Sequence, residues 1–129
     1  MIEIKKRKKP VKVSSKTLKH LRDEGYIAEV VERKIPYGFI SIDYIGCIDI
    51  IAFHEEKKET LGVQVTTNAH VSDHVKKILA EPRVLSWIKA GNRMVIHAWA
   101  KKGKAGKRKL WTLTEREIRM SDFIGIGIG

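Results

Sequence analysis

Cysteine is almost absent from this sequence, because Cys47 is the only one among 129 residues. A single thiol excludes an intrachain disulfide and a zinc site built from several cysteines. Its place between Gly46 and Ile48 is typical of a small buried hydrophobic residue. Long apolar runs are missing too, since none approaches the roughly 20 residues of a membrane-spanning helix. No apolar segment follows the basic start to form a signal peptide. We therefore expect a cytoplasmic protein with no membrane partner.

The length and composition are typical of one globular domain. The chain is long enough for a hydrophobic core but too short for two domains. Its hydrophobic content of 43% and charged content of 32% fit that class. We expect a single domain at residues 14–120, a basic N-terminal arm at residues 1–13 and a Gly/Ile tail at residues 121–129.

The net charge of +11 is concentrated in two segments. Residues 1–12 contain six Lys or Arg and residues 101–109 contain six more, while the rest of the chain is balanced. Such segments neutralise phosphates, so they predict binding to a nucleic acid through the arm and a basic hairpin loop at 101–109. A solubilising role is the alternative for the arm. The predicted contact residues are Lys5, Lys6, Arg7, Lys8, Lys9, Lys101, Lys102, Lys104, Lys107, Arg108 and Lys109.

Hydrophobic patterning and turn residues predict an α/β fold. The expected order is helix, three antiparallel strands, helices, two strands and a helix, which makes a mixed central sheet flanked by helices. The first helix is expected at residues 17–24 and the first strand at 26–33. The charged segment 54–59 predicts a hairpin turn. The capping-box spacing at 114–117 predicts the start of the last helix.

Two apolar strands each contain a polar residue where a buried strand should have none. The first spans residues 48–53 and begins with Ile48-Asp49, and the second spans residues 61–66 and contains Gln64. A buried carboxylate needs a cation, a metal or several donors beside it. The hairpin between the strands sets Asp49 opposite residues 64–66, so the two polar positions should meet. A turn-capping role for Asp49 is the alternative.

Oxygen ligands around Asp49 predict a site for Mg²⁺ or Mn²⁺, because hard divalent ions prefer carboxylate and carbonyl oxygens. Asp43 or Glu32 is the expected outer acid, although Asp43 also suits a turn and Glu32 also suits a surface ion pair. His70 and His74, one helical turn apart, are a weaker metal candidate. The predicted metal ligands are Asp49, Gln64, the Val65 carbonyl, Asp43 and Glu32.

The element order, with Asp49 beginning the second strand and Gln64-x-Thr66 on the third, resembles the PD-(D/E)XK nuclease superfamily. This superfamily is also called the restriction-endonuclease-like fold, and the resemblance covers residues 14–114. It is greatest to small phage-borne, Holliday-junction-resolvase-like and Mrr-like members. It implies one or two divalent ions, held by the Asp and by an acid-x-Lys motif, and phosphodiester hydrolysis. Asp49 matches the first position, Gln64 stands at the acid position as in the Mrr-type branch, and Thr66 stands where the lysine is expected.

Thr66 occupies the position of the motif lysine, so two functions remain open for the same fold. Some relatives recruit the lysine from another element, and Lys76, Lys77 and Lys101 are the candidates here. The first reading is a metal-dependent DNA endonuclease that acts on duplex, branched or junction DNA. For it the resemblance implies the catalytic set Asp49, Gln64, Thr66, Lys76 and Lys77. The second is a catalytically degenerate protein that binds nucleic acid without cleaving it. A basic adaptor, such as a ribosome-associated protein, explains the charge but not the pairing of Asp49 with Gln64.

A homodimer is a further expectation, because a four-way junction presents two symmetric scissile sites. Trp87, Trp99 and Trp111 could serve either the core or a dimer interface.

Overall fold

The computed structural model describes residues 13–34, 41–103, 106 and 108–124. Its helices and strands confirm the predicted α/β class. The helices are α1 (Val13–Asp23), α2 (Val71–Leu79), α3 (Pro82–Lys89) and α4 (Met120–Ile124), with a 3-10 turn at Asn68–His70. The strands are β1 (Ile27–Val30), β2 (Arg33–Lys34), β3 (Ser41–Ile42), β4 (Ile50–His54), β5 (Glu59–Thr67), β6 (Arg93–Lys102) and β7 (Leu110–Ile118).

A five-stranded mixed sheet in the order β1-β4-β5-β6-β7 forms the centre of the fold. The pairs β1–β4, β4–β5 and β6–β7 are antiparallel, as the hairpin turn at residues 54–59 predicts for β4 and β5. Strands β5 and β6 are parallel, because α2 and α3 carry the chain back across the sheet between them. The predicted mixed sheet flanked by helices is therefore confirmed.

Each face of the sheet has its own hydrophobic core, since alternate residues of a strand point to opposite faces. On one face α1 packs Leu21 against Val63 and Val65 of β5. On the other face α2 and α3 pack Ile78 and Val84 against Ile96 of β6. Gln64 and Thr66 alternate with Val63 and Val65, so they belong to the α2/α3 face.

Close packing on that second face requires a glycine at position 62. A Cβ on Gly62 would lie 2.6 Å from the Ile48 side chain and 3.1 Å from Trp87 Nε1. Cys47 is buried in the same core, as its position in the sequence predicts.

The first predicted strand is shorter than expected. β1 ends at Val30, and Arg33–Lys34 instead pairs with Ser41–Ile42 in a separate two-stranded ribbon. The split occurs where the chain leaves the sheet beside Asp49, whose carbonyl accepts the Val31 N–H at 2.9 Å. The first helix begins at Val13 instead of Thr17, so it includes the last residue of the predicted arm.

The helix predicted to begin at residue 114 is wrong, because β7 continues to Ile118 and pairs with β6 throughout. Glu115 and Glu117 point across to β6, where Glu115 Oε2 lies 3.0 Å from His97 Nε2 and Arg93 Nε donates to Glu117 at 2.9 Å. These cross-strand pairs outweigh the local capping-box pattern. The last helix, α4, begins instead at Met120, the last residue of the predicted domain, and continues into the predicted tail.

Several sequence-based predictions lie outside the described residues. They concern arm residues 1–12 and tail residues 125–129. Within the part of the chain that is described, no helix is long and apolar enough to span a bilayer.

Candidate metal centre

Asp49 lies at the entrance to β4, directly across from the middle of β5. Its main-chain N–H donates to the Val63 carbonyl at 2.9 Å, which extends the β4–β5 ladder by one residue. Its carboxylate oxygen Oδ2 accepts two hydrogen bonds, from Gln64 Nε2 at 2.7 Å and from the Val65 N–H at 2.8 Å. The hairpin register therefore brings together Asp49, Gln64 and Val65, as the sequence predicts.

Two further carboxylates approach Asp49 from the chain segments beside it. Oxygens of Glu32, Asp43 and Asp49 all lie within 4.8 Å of one another, and all three side chains are partly buried. We call these three residues the acidic cluster. Glu32 follows β1, and Asp43 stands in the tight turn after β3, where its carbonyl accepts the Gly46 N–H at 3.0 Å. The Asp43 carboxylate is thus part of the cluster although its main chain also forms a turn.

Burial and like charge strongly favour the protonated form of Asp49. Burial is the largest cause, followed by a hydrogen bond to the Asp43 carboxyl, and together with the negative charges of Asp43 and Glu32 they raise the pKa of Asp49 to about 8. The hydrogen bond from the Val65 N–H acts in the opposite direction but is smaller. An ionised Asp49 at neutral pH therefore needs a compensating positive charge.

Gln64 has a buried oxygen without a hydrogen bond. The residue is 2% exposed, its Nε2 is used by Asp49, and its Oε1 has no hydrogen-bond partner within the described structure. A buried acceptor left unpaired costs roughly 1–3 kcal/mol. An amide oxygen in this state, beside three carboxylates, is available as a ligand for a hard cation.

Thr66 takes the position where the resemblance expects a lysine. It is 6% exposed and shares the α2/α3 face with Gln64. Its hydroxyl can orient a water by hydrogen bonding, but it cannot supply positive charge.

The candidate lysines lie in different surroundings. Lys77 on α2 places its Nζ 3.9 Å from Asp43 Oδ2, with 52% of its side chain exposed. Lys76 is exposed. Lys101 points to the opposite face of the sheet, where its Nζ lies 5.4 Å from the centroid of the Trp111 ring. Lys77 is therefore the candidate that reaches the acidic cluster.

His70, at the end of the 3-10 turn, and His74, on α2, belong to no group of three potential metal ligands among the described residues. In the described residues, the acidic cluster is the only group of three or more His, Cys, Asp or Glu side chains close enough to share an ion. Burial lowers the pKa of His74, and the charges of Lys77 and His70 lower it further. These shifts favour the neutral form of His74.

The described part of the basic hairpin lies at the far end of β6 and β7. Lys101, Lys102, Arg108 and Lys109 are all exposed. The other predicted nucleic-acid contacts, Lys5, Lys6, Arg7, Lys8, Lys9, Lys104 and Lys107, lie outside the described residues. The structure thus presents four of the predicted cations to solvent, and Lys101 among them lies beside Trp111.

A further group of residues on α1 was not predicted from the sequence. Lys16 Nζ lies 5.2 Å from the centroid of the Trp111 ring, although the two residues are far apart in the chain. The signal in the sequence was the spacing of Lys16, Lys19, His20 and Asp23, which places them on one side of a helix. Their partners on β6 and β7 could not be read from that spacing.

No family model, no curated protein and no solved structure matches this chain.

Proposed function

We propose that this protein is a metal-dependent DNA endonuclease with a restriction-endonuclease-like fold, in which Asp49 is the central metal ligand. One observation carries the proposal. A half-buried Asp49 is oriented by two donors, faces two further carboxylates within 4.8 Å, and adjoins the unpaired buried oxygen of Gln64. Uncompensated buried polar groups cost stability and are concentrated at functional sites.

The donor set fits a hard divalent cation such as Mg²⁺ or Mn²⁺. The available atoms are carboxylate oxygens of Asp49, Asp43 and Glu32, the Oε1 atom of Gln64 and the main-chain carbonyl of Val65. All are oxygens, and such sites typically combine one or two carboxylates with waters and substrate phosphate. A bound cation would also remove the cause of the raised pKa of Asp49, because it favours the ionised carboxylate.

The residues of the chain have separate tasks in this proposal. Gln64 Nε2 and the Val65 N–H hold Asp49 Oδ2 in one orientation. Lys77, half exposed beside Asp43, can turn its ammonium toward the negative charge that develops on a phosphate, which is the task of the missing motif lysine. Thr66 can position a water. The divalent ion, when bound, would lower the pKa of a bound water and neutralise phosphate charge.

Binding of the DNA backbone is assigned to the basic segments. Lys101, Lys102, Arg108 and Lys109 are exposed at the end of the β6–β7 hairpin, and phosphate contacts of this kind orient a duplex or branched substrate without reading its sequence. A homodimer would supply the second active site that a four-way junction requires.

Thr66 favours a second candidate function. Without a lysine in the motif, the same fold would act as a nucleic-acid-binding protein whose acidic cluster no longer catalyses. This candidate requires DNA binding that persists in EDTA and no gain in thermal stability on adding Mg²⁺ or Mn²⁺.

The test is cleavage of linear, supercoiled and four-way-junction DNA with Mg²⁺, Mn²⁺ or EDTA. We expect cation-dependent cleavage that Asp49→Asn lowers by at least roughly 10²–10³-fold, the range seen when a charge-stabilising group is lost. Asp73→Asn is the matched control, because Asp73 is exposed on α2 outside the acidic cluster. If the folded wild-type protein leaves all three DNAs uncut but still binds them, the second candidate replaces the first.

A further inference from the structure

A pocket lies on the α1 face of the sheet, the face opposite the acidic cluster. It has a volume of about 280 Å³ and is lined by Lys16, Lys19, His20, Asp23, Trp99 and Trp111. We call these six residues the tryptophan pocket. Small-molecule sites begin at roughly 300 Å³, so this pocket has room for one planar group and not for a large ligand.

One wall of the pocket is rigid. Trp99 is 8% exposed, and its Nε1 donates to the buried Thr17 Oγ1 at 2.8 Å. This bond joins α1 to β6 across the core and fixes the orientation of the indole. Trp111, on the neighbouring strand and half-buried, completes an aromatic surface that is formed before any ligand binds.

The Trp111 ring is covered by positive charge. Lys16 Nζ and Lys101 Nζ lie 5.2 and 5.4 Å from its centroid, within the range of cation–π contacts. Both are long flexible side chains, so they can move to an anion while the ring accepts a planar partner. The single acid of the pocket, Asp23, is already paired with Lys19 at 2.7 Å. The chemistry that fits is a flat aromatic group attached to a negative charge.

We propose that the tryptophan pocket binds one unstacked nucleotide of a single-stranded nucleic acid, with its base against Trp111 and its phosphate on Lys16 and Lys101. The exposed cations Arg108 and Lys109 precede Trp111 in the same hairpin and provide contacts for the adjoining phosphates. Stacking of this kind tolerates any base, because every base has a π-face.

This inference goes beyond the proposed nuclease site and does not depend on it. The acidic cluster lies on the other face of the sheet, and stacking on Trp111 requires no divalent ion. Binding is therefore measured in EDTA, so a protein that never cleaves DNA can still pass the test.

The experiment follows the fluorescence anisotropy of labelled oligothymidylate, which has no base pairs to unwind, titrated with the full chain in EDTA. We expect saturable binding that Trp111→Leu weakens by roughly 10-fold or more, as expected for the loss of one base–aromatic stack. Trp111→Phe should keep most of the affinity. Circular dichroism checks that each variant is folded.

A pair of lysine variants separates the pocket from general charge, and it decides the question if Trp111→Leu does not fold. Lys16→Gln should weaken binding clearly more than Lys89→Gln, which removes the same charge from an exposed position on α3. Equal effects of these two variants would overturn the proposal. So would unchanged binding in a folded Trp111→Leu protein, or equally strong competition by polyglutamate, which carries negative charge without a base.

Discussion

Two groups of carboxylates lie on or beside β5, and they differ in how the chain compensates their negative charge. At the start of the strand, Arg93 Nη1 donates to Glu59 at 2.8 Å while its Nε and Nη2 each donate to Glu117 at 2.9 Å. Tyr26 also donates its hydroxyl hydrogen to Glu59. We call these four residues the arginine network. Beside the later part of the same strand, the acidic cluster has no arginine partner among the described residues, and Lys77 Nζ lies 3.9 Å from Asp43 Oδ2.

The protonation of the two groups differs accordingly. The hydrogen bond from Tyr26, with the bonds and charge of Arg93, lowers the pKa of Glu59 below its usual value. Burial and neighbouring acids raise the pKa of Asp49 to about 8. Carboxylates that are compensated within the chain stabilise it, whereas a cluster that depends on an external cation costs stability and suggests a site.

The largest expected effect that distinguishes the two groups is the fall in cleavage rate when Lys77 is replaced. If it replaces the motif lysine, Lys77→Met should lower the cleavage rate by roughly 10²-fold, the lower end of the effect of a lost charge-stabilising group, because the side chain is half exposed. Lys76→Met, from the adjacent exposed position, should cause a much smaller loss. Single-turnover cleavage with saturating protein measures both rates, and equal losses would remove Lys77 from the site.

The response to cations should also separate the two groups. Mg²⁺ or Mn²⁺ at about a hundredfold excess over its dissociation constant should stabilise the wild-type protein by about 2.7 kcal/mol. Asp49→Asn should abolish this gain, and Glu117→Gln in the arginine network should preserve it. Thermal unfolding with and without EDTA measures the shift. A gain that survives Asp49→Asn would place the cation elsewhere.

The sequence predicts the contact between Asp49 and Gln64 across the hairpin, but it does not predict the contacts between elements that are distant in the chain. Asp49 meets Gln64 because a charged turn between two apolar strands determines which residues face each other, and a local pattern contains that information. The contact between Lys77 and Asp43 joins a helix to a turn, so no spacing in the sequence reveals it. The helix predicted at residue 114 is wrong for the same reason, since the partners of Glu115 and Glu117 lie on β6. The ribbon of β2 and β3 has only two residues per strand, too few for any periodicity.

Removing the cation of the arginine network should destabilise the fold without affecting the chemistry. Arg93→Met removes both hydrogen bonds to Glu117 and leaves Glu59 with the Tyr26 hydroxyl as its donor. We expect the free energy of unfolding to fall by roughly 1–3 kcal/mol, less than for a fully buried ion pair because the guanidinium is about one-third exposed. Arg116→Met, at an exposed position on the same strand as Glu117, is the control for a lost surface charge. Urea unfolding gives the free energies, and cleavage per folded molecule should be unchanged. A fall in cleavage per folded molecule would mean that the arginine network and the acidic cluster are coupled.

The smallest expected effect is on how the free energy of unfolding depends on pH, which should have opposite sign for the two groups. Asp49 has a raised pKa in the folded protein, so the folded state binds more protons than the unfolded state between about pH 4 and pH 8. Its contribution to stability is therefore complete at low pH and is lost as the pH rises through this window. In EDTA, Asp49→Asn should be more stable than the wild type by an amount that grows across the window to roughly 1–2 kcal/mol, less than the full shift implies because the carboxylate is partly solvated.

Glu59→Gln should be less stable than the wild type, and this difference should shrink as the pH falls. The reason is that the pKa of Glu59 is lowered, so its stabilising contribution is lost as the pH falls through its folded value. Urea unfolding measures the two trends, between about pH 4 and pH 8 for Asp49→Asn and below about pH 4.5 for Glu59→Gln, each beside the wild type. Parallel trends would mean that the acidic cluster is as well compensated as the arginine network, and the case for a cation site would then be lost.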